Sequence, residues 1–184
     1  SLGTITMQGE FATILGTTTM SSTVDFPKQK IVQFGGAGRV AMDLGSYGFV
    51  LDMVFASGDQ NFDDEYQNGF KADSNYQLGF LLFRHVMAAQ TGRGAYLAGD
   101  PQLVGYPPMG VERYPTRGAI TNTVSIFPRA WYQLSKSFEV YGGPLFAISA
   151  QKNLDPRNVK LSGGQSLNSL GGTAGGYLGT ELDI

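Results

Sequence analysis

Between Gly38 and Phe55 the chain reads GRVAMDLGSYGFVLDMVF, and a single change of phase within it restricts the fold more than any other feature. Successive side chains of an extended strand point to opposite faces, so residues of one parity share a surface. Val32, Phe34, Gly36, Gly38, Val40, Met42 and Leu44 form one row, with Gln33, Gly35, Ala37, Arg39, Ala41 and Asp43 on the other. Past Gly45-Ser46 the parity reverses, so that Tyr47, Phe49, Leu51, Met53 and Phe55 are apolar and oppose Gly48, Val50, Asp52, Val54 and Ala56. A two-residue hairpin loop with Gly in first place, as a type II′ turn requires, produces that reversal. The predicted register sets Leu44 against Tyr47, Met42 against Phe49, Val40 against Leu51 and Gly36 against Phe55. On the second face it sets Arg39 against Asp52, a cross-strand pair of about 0.2–1 kcal/mol that pins the register.

The pattern recurs three times. From Ala119 to Leu134, Ile120, Asn122, Val124, Ile126, Pro128, Ala130, Tyr132 and Leu134 alternate with Thr121, Thr123, Ser125, Phe127, Arg129, Trp131 and Gln133. After a tight Ser135-Lys136-Ser137 turn, Phe138, Val140, Gly142, Pro144, Phe146 and Ile148 continue the apolar row. Pairing Leu134 with Phe138 sets Tyr132 against Val140 and Pro128 against Pro144. Two opposed prolines, which lack the ladder donor, mark a bulge, an edge or a weak point there. Thr4 to Leu15 and Thr173 to Ile184 alternate in the same way, the latter with Tyr177, Glu181 and Asp183 opposite Gly176, Leu178, Leu182 and Ile184. Six strands result, in one domain over residues 1–184.

The two hairpin turns are short, whereas the other connections are long and polar. Short turns at one end and long loops at the other are the habit of outer-membrane barrels, with the short turns periplasmic. Residues 58–118 lie between an outgoing and an incoming strand, so they must hold an even number of crossings. Tyr76 to Ala89 has the length of one, but the Gly- and Pro-rich stretch from Thr91 to Arg117 supplies no return partner. Zero crossings follow, and a long extracellular or lumen-folded insertion. In it Leu78, Leu81, Leu82, Val86 and Ala89 fit a short amphipathic helix that packs as a plug or lid.

Composition bears on which face is which. Charged residues are 15% of the chain, against about 25% in an ordinary soluble domain, and there are 26 glycines. A net charge of −2 excludes a basic, nucleic-acid-coating surface. No run approaches the ~18 apolar residues of a spanning helix, whereas strands span with about 9–11 tilted residues of which alternate ones are apolar. The first residues carry no basic start or apolar core of a signal peptide, which is expected to be missing or removed. Lys is nearly absent from the strands, although soluble sheets use it to block their edges. Aromatics collect beside the short turns at Tyr47, Phe49, Tyr132 and Phe138, as an interfacial girdle requires. The expectation is an all-β, antiparallel up-and-down transmembrane β-barrel of the bacterial outer membrane, its apolar rows toward lipid. Single-chain membrane barrels begin at about eight strands, so these six belong to a larger barrel, or several chains share one, or a pair lies unseen in the insertion.

The runs ASGDQNFDDEYQNGFKADSNYQLGFLLFRHVMAAQTGR and NTVSIFPRAWYQLSKSFEVYGGPLFA resemble bacterial outer-membrane barrel proteins of the alginate-export and porin-like families. The resemblance covers about two thirds of the chain and implies a larger barrel that passes solutes or polysaccharide. Alginate exporters line their pore with arginines, whereas the row opposite the apolar one here is mainly acidic.

That row supplies the pore-lining candidates, Glu10, Arg39, Asp43, Asp52, Arg129, Glu139, Glu181 and Asp183, since wall charge sets selectivity. Arg39 with Asp52 reads equally as a structural ion pair. Asp59, Asn61 and Asp63 in SGDQNFDDEY alternate as calcium ligands do, but Asp64 and Phe70 stand where an EF-hand needs Gly and Glu, which favours a solvated acidic loop and no cofactor. The single histidine, His85, stands without GxSxG or HExxH, and GGAG at Gly35 to Gly38 lacks the GK[ST] of a phosphate loop. No catalytic site is expected. The function expected is a porin-like channel for small polar solutes or ions, with membrane lipid and other strands or subunits as its neighbours. The alternatives are a plugged, non-conducting barrel with a structural or interaction role, and a soluble lipid-binding barrel with the apolar rows inside.

Overall fold

A computed structural model of the chain describes residues 3–19, 25–60, 64–87, 119–152, 154–155, 158, 161–168 and 170–184. Seven strands form one sheet: β1 (Thr4–Thr18), β2 (Gln29–Asp43), β3 (Tyr47–Ala56), β4 (Tyr66–Gln67), β5 (Thr123–Ser135), β6 (Phe138–Ile148) and β7 (Tyr177–Asp183). The order is β1-β2-β3-β5-β6-β7, antiparallel throughout, and β4 joins β2 in parallel at Lys30 and Ile31. The all-β antiparallel expectation is therefore met, with one short strand beyond the six. β1 and β7 end the sheet without pairing to each other, so the described strands form an open sheet and not a closed barrel.

The first hairpin has the register that its alternation dictates, with Arg39 opposite Asp52 and Gly36 opposite Phe55. Gly45 takes φ +92°, which an L side chain resists, and its N–H donates to the Asp43 carboxylate at 2.8 Å. In the second hairpin Tyr132 faces Val140 and Ile126 faces Phe146, as expected. Its ladder is interrupted between Ile126–Phe146 and Ala130–Gly142, the stretch that holds Pro128 and Pro144. The turn is tighter than expected: Ser135 pairs with Phe138, a one-residue shift that leaves only Lys136 and Ser137 in the loop.

β7 departs from simple alternation. Ala147 pairs with Gly179 but Ile148 pairs with Tyr177, so a bulge precedes Gly179, whose φ is +154°. The extra residue moves Tyr177 into the apolar row and Leu178 to the opposite face, where it packs on the core. Period two alone assigns both to the wrong side.

The core lies on the charged face. Val54 and Ala56 of β3, Phe127 of β5 and Leu145 and Ala147 of β6 cluster there with Leu78, Leu82, Phe83, Met87 and Ile120, which come from residues 58–122 between β3 and β5. The described part of the insertion thus folds over the sheet and adds to it only the two-residue β4. Leu82–Met87 is a π-helical turn, with the Val86 N–H donating to the Leu81 carbonyl at 3.1 Å. Its wider winding buries Leu82, Phe83 and Met87, with Leu78 buried just before it, and leaves Leu81 and Val86 exposed, which corrects the face expected from an α-helical period; Ala89 lies outside the described residues.

The apolar row has no such cover. Ile5, Met7, Phe11, Leu15, Phe49, Phe55, Ile126, Leu134, Phe138, Phe146 and Leu182 are all exposed, Phe11 by 68% and Leu134 by 60%. Tyr47, Phe49, Tyr132 and Phe138 stand on this bare face beside the short turns, with Tyr47 in register with Tyr132 and edge-on to Phe49 at 6.2 Å.

Candidate functional site: the charged face

Three central strands bring Asp52, Arg39 and Arg129 together. Asp52 Oδ1 accepts a hydrogen bond from Arg39 Nε at 2.6 Å, and its Oδ2 accepts one from the Arg129 guanidinium. The carboxylate is almost wholly buried, its side chain 3% exposed against 51% for Arg39 and 24% for Arg129. Arg129 also stacks over the Phe127 ring, 4.6 Å from its centroid. Such a cluster fixes the relative position of β2, β3 and β5, because removal of its centre strands two guanidinium groups.

Glu181 serves the insertion. Its Oε1 accepts the N–H groups of Phe80 at 2.6 Å and Leu81 at 2.8 Å, and its Oε2 accepts that of Leu82 at 2.8 Å. These are donors at the start of the π-helical turn, which have no partner within it. Gly79, at φ +73°, lets the backbone approach: a Cβ there would lie 2.8 Å from both the Glu181 carboxylate and the Leu145 side chain. Asp183, two residues on, is also buried. On β2 a Cβ at Gly35 would collide with the Phe70 ring, so this glycine of the GGAG run makes room for the insertion.

The expected pore-lining set therefore divides. Asp52, Glu181 and Asp183 are 2%, 8% and 7% exposed, and the first two hold structure, Asp52 against Arg39 and Arg129 and Glu181 against the insertion. Glu10, Arg39, Asp43 and Glu139 are exposed. The same face of β1, through Thr4, Thr6, Gln8 and Glu10, is uncovered, as is the short-turn end at Gln133, Glu139 and Tyr141. These exposed positions, along β1, at the turn end of β2 and at the β5–β6 turn, make a wet strip that is interrupted where Gly48 lies buried against Trp131.

Beside that strip is a half-open cleft of about 180 Å³ between β1–β3 and the insertion, bordered by Glu10, Ala37, Val54, Phe70, Asp73 and Tyr76, among others. Burial first, and then the Asp52 carboxylate, push the Tyr76 phenol above its ordinary pKa.

The described aspartates of the acidic loop accept backbone hydrogen bonds. Asp59 is buried and its Oδ2 accepts the Asn68 N–H at 3.0 Å, while Asp64 Oδ1 accepts the Tyr66 N–H at 2.8 Å. Asn61 and Asp63 lie outside the described residues. Among the described residues no group of three or more His, Cys, Asp or Glu side chains is placed to hold a metal. His85 is exposed on the π-helical turn.

Phe70 and Tyr76 escaped the sequence reading because neither lies in an alternating run. Leu82, Phe83 and Met87 carried a usable signal, since Met87 follows them by five and four residues, a spacing that suits a turn wound wider than α. No family model, curated protein or solved structure matches this chain.

Proposed function

We propose that this chain is part of an outer-membrane β-barrel whose bare apolar face meets lipid and whose charged face borders a partly plugged, polar passage for small solutes or ions. The observation that carries the reading is the contrast between the two faces of the sheet: the large side chains of the apolar row are exposed, while Asp52, Glu181 and Asp183 on the other face are buried together with Phe127 and Leu145. Contiguous apolar surface on this scale marks a surface that meets protein or membrane, and alternating strands flanked by aromatics suit a bilayer. Backbone groups at the outer edges of β1 and β7 need partners in hydrocarbon, which further strands or subunits would supply. A soluble barrel with the apolar rows inside would leave the insertion, packed on the charged face, outside it.

In this arrangement the insertion closes the part of the passage along β3–β7, and solutes follow the wet strip past Glu10, Arg39 and Asp43 to Glu139. A second reading, a fully plugged barrel with an interaction role at the cell surface, draws support from the same insertion. Purified protein added to planar bilayers separates the two. Stepwise conductance with cation preference, weakened by Glu10→Gln with Asp43→Asn, is the expected result; a silent bilayer over many insertion attempts favours the plugged barrel. Recovery of the protein from cells without detergent overturns both.

A further inference from the structure

We propose that the cleft between the β1–β3 wall and residues 70–76 binds a small amphipathic organic cation, an ammonium group on a compact hydrocarbon or aryl body. The inference rests on the reading of the wet strip as a solute path and names the class of solute held beside it.

Size, lining and charge each restrict the occupant. About 180 Å³ is space for a body near the size of benzene, which an apolar cavity of ~150 Å³ accepts. The walls are mostly apolar and short, with Ala12, Ala37, Ala56 and Ala72 leaving the room that larger side chains would fill. Phe70 and Tyr76 present two aromatic rings, whose faces attract cations. Phe70 is set in place by its contact over Gly35, so this wall is built into the packing of the insertion on β2.

Two carboxylates, Glu10 from β1 and Asp73 from the insertion, border the same space. Asp73 uses Oδ1 to accept the Asn75 N–H at 2.7 Å, which leaves its second oxygen for a ligand. The nearby Asp52 cluster holds one carboxylate against two guanidinium groups, Arg39 and Arg129, and so offsets only one of the two cleft carboxylates, leaving a net charge of −1 beside the cleft. Anions are repelled by that charge, and a fully hydrated metal ion gains nothing from the apolar walls. An ammonium on an apolar body satisfies both halves of the cleft.

Titration calorimetry of the detergent-solubilised protein tests this with three probes of similar size: phenethylammonium, 2-phenylethanol and 3-phenylpropionate. The cation should bind best, the alcohol more weakly and the carboxylate least. Glu10→Gln and Asp73→Asn should each weaken the cation by about two- to fivefold, the range for half-exposed ion pairs, and together bring it level with the alcohol. Asparagine at 73 keeps the turn acceptor, and Glu10 is exposed, so both variants should fold. Ala37→Leu should fill the cleft and abolish binding of every probe. Equal affinity for the three probes, no heat from any at millimolar concentration, or an unchanged cation affinity in the double variant each overturns the proposal. Binding without bilayer conductance retires the passage and keeps the site; conductance without binding retires the site alone.

Discussion

The two halves of the charged face contrast sharply. Along β3–β7 the insertion lies on the sheet, and the acidic side chains there are buried and occupied with guanidinium groups or backbone N–H donors. Along β1 and the outer part of the face, residues of the same parity are wet. Glu10 and Glu181 occupy equivalent alternation positions in their strands, yet one borders an open cleft and the other holds a loop in place. Charge on a strand face thus acquires its role from what covers it.

Four substitutions would break or sharpen that contrast. Asp52→Ala should have the largest effect, about 3 kcal/mol of lost stability, the low end for a broken buried pair because the cations left behind are only partly buried (Arg129) or exposed (Arg39); denaturant unfolding in detergent would measure it, and a loss below about 1 kcal/mol would make the cluster incidental. On the proposed orientation, Met53→Arg puts a charge on the lipid face near mid-strand and should cost about 2–4 kcal/mol in bilayers. A Met53→Arg protein that instead becomes more soluble without detergent argues for a water-facing surface. Glu181→Gln should cost about 1–3 kcal/mol by weakening a charged acceptor of three N–H groups, and its signature is local: faster amide exchange at residues 80–87 with the hairpins still protected. Glu139→Gln, on the wet end of the face, should change stability by less than about 0.5 kcal/mol, so a large loss would show that this end is covered too.

Much of the sheet was legible because alternation and turn length are local properties. Gly45-Ser46 alone places Arg39 against Asp52, and Leu134-to-Phe138 spacing places Tyr132 against Val140. Local rules failed where a single residue was inserted, at the bulge that moves Tyr177 to the apolar face, and where the helical period was not α, at Leu82–Met87. They also missed β4, whose two residues owe their pairing to the position of the insertion against β2.

For the candidate site the division is sharper. In β2 and β3 the amino-acid order by itself determined which residues share a face, since period two and a two-residue loop leave one register that keeps the apolar row together. Only the tertiary structure decided that Asp52, Glu181 and Asp183 are sealed while Glu10, Asp43 and Glu139 stay wet. The reason is physical: a strand's pattern specifies direction, but burial depends on a segment distant in sequence, here Phe70 to Met87, that settles over part of the face and leaves the rest to water.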